Sequence, residues 1–519
     1  MRIANSIRPL AIALLVTCIT STPAAAERTL SLDKAIRLAL SRSEDLKIAR
    51  EGANAATAVL RGARGAYDPV LELSGGWSRS TEPVNSAFAG APAGRIAPRL
   101  EGSEAGATVR QLLPTGGALS VGVSGSRQTS DGVAALLSPA YGTRVGVELR
   151  QPLLRDLAMD DARLAVRVAG AGRNAANAEL RRSVSETVTA VVRAYWDLVA
   201  ARMGVDVRED AVRLAQQQLE DTQARVESGS TSGTELSQPR AELERRRGEL
   251  FAGREAQARA ENALKLLILA DSDPGPWLER IVPTDSVEVS LAPVDVAEAL
   301  QRALAGRPEL AEAQAGVERR RAETQRAQSG VWPALDAVVS YDRFGLAGTR
   351  NPAGPAGALP FELDGALARS FRTLRDGDLD ATRVALVLGL PITNRTARAG
   401  LAAARSAQRQ AEAALARTEK VVSADVLDAV ASLETARQRM ATASAGREAA
   451  AIQLAAERDR FRAGLSTNFL VLTRQNDFSR ARLDEIAAGT DYETARTELA
   501  RATGSIVEQR SAHEPSPSQ

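Results

Sequence analysis

The sequence predicts a mixed α+β chain built from two unequal copies of one unit: a helix, a set of strands, then a very long helical hairpin. Three observations carry this expectation. A segment opening at Ser31 (SLDKAIRLALSRSEDLKIAREGA) returns at Val294 (VDVAEALQRALAGRPELAEAQAGVE), so Ala35, Ala39, Leu46 and Ala49 recur as Ala299, Ala303, Leu310 and Ala313. Self-similarity on this scale marks a duplicated structural unit. Several segments alternate apolar and polar residues with period two, the signature of strands with two unlike faces. Finally, residues 160–227 and 396–463 contain no proline, and each could run as one helix of roughly 100 Å.

Taken in order, residues 1–26 read as a removable secretion signal. Arg2 and Arg8 supply the basic start, Leu10–Ile19 a short apolar run, and Ala24 and Ala26 the small residues of a cleavage site. Residues 27–280 form the first repeat, with a helix over 31–62, strands within 69–151 and a helical hairpin over 157–270. The helix has Thr29 or Ser31 as cap and Ile36, Ala39, Leu40, Leu46 and Ala49 as its apolar stripe. After Tyr67-Asp68-Pro69 the period changes, and Leu71, Leu73 and Trp77 oppose Glu72, Ser74 and Ser78. The same alternation marks 118–124 and 143–150. Either four strands (69–79, 104–112, 118–127, 143–151) share one sheet, or 104–127 is a separate hairpin closed by Leu113-Pro-Thr-Gly-Gly117.

Residues 281–504 form the second repeat, with a helix over 295–330, strands over 334–346 and 382–391, and a hairpin over 394–504. Segments 80–102 and 347–378, rich in Gly, Pro, Ala and Asn, read as external loops. Leu214, Leu219, Val226, Leu415, Val422 and Val426 stand at coiled-coil-like separations. Residues 505–519 read as a disordered tail.

Composition narrows the chemistry. The net charge is +2 with both signs interleaved, so the concentrated basic face needed for nucleic acid is missing. The single histidine, His513, lies in the tail, and the single cysteine, Cys18, lies in the signal. Zinc sites, thiol nucleophiles and histidine-dependent triads are therefore excluded from the mature chain. No catalytic, cofactor-binding or metal-binding residue is expected. After the signal no apolar run reaches the length of a membrane helix, so any membrane entry must be as a closed barrel.

The chain resembles the TolC-like outer-membrane efflux proteins over essentially its whole mature length. The resemblance rests on LSLDKAIRLALSRSEDLKIAR, AYDPVLELSGGWS, VELRQPLLRD, FRAGLSTNFLVLTRQNDFSRARLDE and YETARTELARATG. It implies a homotrimer in which strands form an outer-membrane β-barrel, continued by a long periplasmic α-helical coiled-coil barrel. The implied function is the passive exit channel of a tripartite efflux pump or a type I secretion system. Its partners would be a periplasmic membrane-fusion adaptor, an inner-membrane pump and outer-membrane lipid. A periplasmic coiled-coil adaptor or structural protein without a membrane barrel is the alternative.

By the same resemblance the hairpin tips meet the adaptor, here at Gly229, Ser230 and Thr231 and at Ala463, Gly464 and Leu465. Gate candidates are Thr234, Glu235, Phe461, Ser466, Leu470 and Thr473. The best-studied family members carry an arginine and two aspartates where this chain has Ser466, Leu470 and Thr473, and a tyrosine where it has Phe461. A cation-selecting carboxylate ring is therefore not expected at this constriction. Glu235 reads equally well as a solvated acid at a helix N-terminus.

Overall fold

A computed structural model describes residues 27–83, 96–269, 274–287, 293–355, 360–377 and 379–506. The proposed signal, Cys18, His513 and most of the tail lie outside the described residues, as do parts of both external loops. Elements run β1 (Glu27–Leu30), α1 (Leu32–Arg42), α2 (Glu44–Arg64), β2 (Val70–Thr81), β3 (Arg99–Leu112), β4 (Ala118–Ser130) and β5 (Leu137–Pro152). The first hairpin is α3 (Asp161–Glu227) and α4 (Ser237–Ile268), followed by α5 (Pro274–Leu278) and β6 (Arg280–Pro283). Then come α6 (Val296–Gly306), α7 (Pro308–Val331), β7 (Ala334–Arg350), α8 (Leu367–Asp376), β8 (Asp380–Gly389), and the second hairpin, α9 (Arg395–Arg462) and α10 (Asn468–Ala502).

Each of the two helices expected over 31–62 and 295–330 is broken, and at the same place in the repeat. Ser43 leaves the helical region (φ −55°, ψ 127°), and its hydroxyl accepts from the Leu46 N–H to start α2, as an N-cap does. At the matching position Arg307 is extended because Pro308 follows it, and proline disfavours helical geometry in the residue before it. Further corrections concern the loops and the tail. β7 runs on to Arg350, and 367–376 is helix α8, not loop. Ser505 and Ile506 are buried rather than disordered. A third correction is β1, which pairs in parallel with β6; the boundary drawn at residue 280 therefore cuts a strand.

The chain divides into two compact units. The described residues of the helical unit are 27–47, 184–269, 274–287, 293–300 and 426–506. Its core gathers Leu30, Ile36, Val191, Tyr195, Leu264 and Ile281. Tyr195 is fully buried at the centre of a polar knot beneath β1 and β6. Its hydroxyl lies 2.5 Å from Asp285 Oδ2 and 3.0 Å from the Leu30 carbonyl, and it accepts from the Thr284 and Asp285 N–H groups. The same carboxylate oxygen accepts from the Leu32 N–H at the start of α1. Burial, reinforced by the Asp285 contact, pushes the Tyr195 hydroxyl up to about 12.

The other unit, residues 48–183 and 301–425, carries one antiparallel sheet in the order β2-β3-β4-β5-β7-β8. All four strands of the first copy share it, so 104–127 is not a separate hairpin. The β3–β4 turn closes with the Leu113 N–H on the Gly117 carbonyl, Gly116 standing at φ +82°. A side chain on Gly116 would strike Asp156 and Arg163, so this end of the sheet abuts the start of α3.

Register makes the two faces unlike. Leu73, Ala107, Val123 and Val145 lie across neighbouring strands on one face, as do Leu71, Val109, Val121 and Val147. On β8 the same face carries Val384 and Leu386, 75% and 69% exposed. The opposite face carries Glu72, Ser74, Thr108, Ser120, Arg144, Glu148 and Asp342. There Arg144 pairs with Asp342 at 2.9 Å and Arg150 with Asp336 at 2.5 Å. Gly146 makes room for the first pair, since a Cβ there would collide with the Asp342 carboxylate.

Candidate functional site: the hairpin tips

Both long hairpins reverse through the same local device. At the first tip Gly229 stands at φ +73°, with Ser230 N–H on the Arg225 carbonyl and Gly229 N–H on the Val226 carbonyl. At the second Gly464 stands at φ +77°, with Leu465 N–H on the Arg460 carbonyl and Gly464 N–H on the Phe461 carbonyl. This is a Schellman closure, which requires a left-handed residue that glycine adopts without a Cβ penalty. Ser232 then caps the short turn before α4 by accepting from the Thr234 N–H.

The expected contact residues sit at the extreme of each turn. Gly229, Ser230, Ala463 and Gly464 are exposed, Thr231 is half-buried, and Leu465 projects with 79% of its surface open. The gate candidates divide into two groups. Thr234, Glu235 and Leu470 are exposed; Thr234 shares a hydrogen bond with the Ser232 hydroxyl, and its carbonyl accepts from the Ser237 N–H. Thr473 turns its hydroxyl back onto the Phe469 carbonyl of its own helix. Phe461 and Ser466, by contrast, take part in specific contacts.

The Phe461 contact joins the two tips. Arg225, at the end of α3, lies over the Phe461 ring at 4.0 Å and donates to the Phe461 carbonyl at 2.7 Å. A cation over an aromatic face is attracted by the ring quadrupole, and loss of a tyrosine hydroxyl does not weaken that term. One turn lower, Asn468 Oδ1 accepts from Gln218 Nε2 at 2.5 Å and lies 3.2 Å from the Thr222 hydroxyl. Gln218, Thr222 and Asn468 are all buried. Ser466 donates to the Glu457 carboxylate. Nearby, burial and the adjacent Arg462 pull Arg458 below the usual arginine range.

Gln218, Thr222, Arg225 and Asn468 were not singled out by the sequence pattern. The buried seam of α3 is Ala211, Ala215, Gln218 and Thr222, whereas Leu214, Leu219 and Val226 are only half-buried. The available signal was a polar residue at successive three- and four-residue steps on a helix otherwise lined by alanine. Among the described residues no group of His, Cys, Asp and Glu is arranged to hold a metal ion.

The fold, a two-faced antiparallel sheet joined to two long helical hairpins, is that of an outer-membrane channel. The profile of the outer membrane efflux protein family matches residues 99–268 and 299–505, and the chain belongs to that family. It is an outer-membrane efflux channel with a periplasmic helical extension, not an enzyme. No curated protein sequence matches the chain. Among solved structures it is similar to the CmeC outer membrane channel of Campylobacter jejuni, at 16% identity and TM-score 0.63, over 93% of this chain and 90% of that one. It is also similar to VceC of Vibrio cholerae (18%, TM-score 0.62, 91% and 96%). The open-state MtrE channel of Neisseria gonorrhoeae is a further likeness (18%, TM-score 0.56, 92% and 89%).

Proposed function

We propose that three copies of this chain join to make the exit duct of a tripartite pump, opened at its helical tips by a periplasmic adaptor coupled to an inner-membrane pump. The supporting observation is the six-stranded sheet with one apolar and one charged face. Its outer strands, β2 and β8, have no second neighbour among the described residues. An open edge within a bilayer is costly, because unpaired backbone groups find no water there. Joining β8 of one copy to β2 of the next removes every edge. Three sheets then give a wall of about eighteen strands, the range in which barrels leave a water-filled lumen.

The polar face would line that lumen. Neutralising Asp342 (Asp342→Asn) leaves Arg144 unpaired and shifts the wall toward positive charge. The zero-current potential of the channel in a salt gradient across a planar bilayer is expected to move toward anion preference. An unchanged potential would mean that this face does not line the conducting path.

At the tips, the Arg225–Phe461 and Gln218–Thr222–Asn468 contacts act as the closure. Asn468→Leu leaves the buried Gln218 amide without its acceptor, at a cost of about 1–3 kcal/mol, while Thr222 keeps its bond to the Gln218 carbonyl. A resting channel carrying it is expected to conduct more, with a further rise on adding Arg225→Ala. Wild-type conductance in the double variant would place the gate elsewhere. In this reading the substrate is chosen by the pump. The whole reading is tested by fractionation: heat-modifiable oligomers in the outer membrane are expected. Recovery as a soluble periplasmic monomer would favour the adaptor alternative.

A further inference from the structure

Helix α8 lies against the apolar face of the sheet. Ser370 is fully buried, its hydroxyl 2.8 Å from Thr143 Oγ1. Side chains added at Gly345 or Gly125 would meet Ser370 and Leu374, or Leu367, respectively. Thr143, Gly125 and Gly345 share one row across β4, β5 and β7, on the side that carries Val123 and Val145. The charged pairs occupy the opposite side. In a barrel whose lumen is polar, α8 is therefore outside the wall, at the end of the strands remote from α3 and α9.

The helix is oriented as well as placed. Thr373 Oγ1 donates to the Leu346 carbonyl at 3.1 Å and accepts from the Leu346 N–H at 3.2 Å, beyond the point where β8 ends its pairing with β7. Helical periodicity puts Phe371 on the opposite flank, toward the apolar band, where 44% of it is exposed. Arg369 is occupied: it lies 5.0 Å from the Phe361 ring and donates to the Glu362 and Phe361 carbonyls. Arg372 and Arg375 are exposed on the side turned away from the sheet. Arg375 has Asp376 at 3.6 Å, and Arg372 has no ion-pair partner among the described residues. On the same face of β7, Arg343 donates to the Tyr341 hydroxyl at 3.0 Å.

An apolar flank continuous with a lipid-facing wall, beneath exposed arginines, is the pattern of a helix lying in a membrane interface. We propose that α8 docks phosphorylated lipid of the outer leaflet, its phosphates on Arg372 and Arg375 and its acyl chains against Phe371 and the strand valines. The proposal rests on the outer-membrane barrel reading. Guanidinium groups suit it, since they can hold a phosphate through two parallel hydrogen bonds. The phosphates repel carboxylates, and Asp376 is the acid closest in sequence to the proposed contact.

The test titrates the detergent-solubilised full-length channel with bis-phosphorylated lipid A, with the same lipid dephosphorylated, and with inorganic phosphate, counting bound lipid by native mass spectrometry. Bis-phosphorylated lipid is expected to bind, and the dephosphorylated form more weakly by roughly 10- to 30-fold. R372Q/R375Q is expected to show a similar loss, with R372K/R375K retaining most of the binding. Equal binding of both lipids, or no loss in the glutamine variant, overturns the proposal. Competition by inorganic phosphate at the lipid's own concentration overturns it too, since the site would then be for a free anion. The lipid comparison needs no variant, so it decides even if a substituted chain fails to fold. Failure of the wild-type chain to enter vesicles of phosphatidylcholine and lipid A overturns the barrel reading itself. Entry with equal binding of both lipids overturns only the role of α8.

Discussion

Tyr195→Phe is expected to lower stability by about 1–3 kcal/mol, the cost of leaving buried hydrogen-bonding groups without a partner. The hydroxyl joins Leu30, Thr284 and Asp285 at one point, so its loss loosens β1, β6 and the start of α1 together. Tyr195→Ala adds a cavity in a core that already contains Val191, Leu264 and Ile281, and a total of about 3–5 kcal/mol is expected. Urea unfolding of the extracted protein, followed by circular dichroism, measures both. The phenol also carries a pH signature. Its ionisation is displaced upward to about 12, above the ordinary value near 10. The favourable term is therefore complete below pH 10 and disappears as pH rises through 12. Absorbance titration at the phenolate band should show a component ionising near pH 12 that is missing in Tyr195→Phe. Equal stability of the two proteins would mean that the knot is dispensable.

The second large effect is expected at the tip. Gly464→Pro removes the N–H that closes on Phe461, and its ring fixes φ near −65° where the chain stands at +77°. A proline in an incompatible position costs about 3 kcal/mol or more, here spent at a turn and not in the core. Export is expected to fall to the level of a deletion strain while heat-modifiable oligomers persist in the outer membrane. Gly464→Ala, strained but still able to donate, should be intermediate. Loss of the oligomers in Gly464→Pro would make the tip a determinant of folding rather than of adaptor contact. Leu465→Trp separates the two further, since Leu465 is exposed and touches little: only the contact should suffer.

Sequence periodicity made the long elements readable because each repeats its signal many times. Proline-free stretches gave α3 and α9, and the aromatic–proline entry at Tyr67-Asp68-Pro69 gave the start of β2. Short or non-local elements left no such trace. β1 and β6 are four residues each, too brief for alternation to register, and their pairing is fixed by Tyr195 far along the chain. Helix α8 was hidden inside a Gly- and Pro-rich segment, although Leu367, Phe371 and Leu374 stand at helical spacing against Arg369, Arg372 and Arg375. The turn glycines at the tips were legible because their backbone need is local. Gln218, Thr222 and Asn468 were not, because a buried polar cluster is defined by which helices meet and not by any one of them.

The strand pair at the chain's start has a consequence in time. Leu32 and Asp285 are 253 residues apart, so β1 has nothing to pair with until the whole first repeat has been made. Closing so long a loop carries a substantial entropic cost, and contacts of this range slow folding. A chain exported amino end first must therefore hold Glu27–Leu30 unsatisfied for most of its passage. The knot around Tyr195 then works as a completion check: a product truncated before Thr284 cannot form it, and should be cleared as an unfolded chain before reaching the outer membrane.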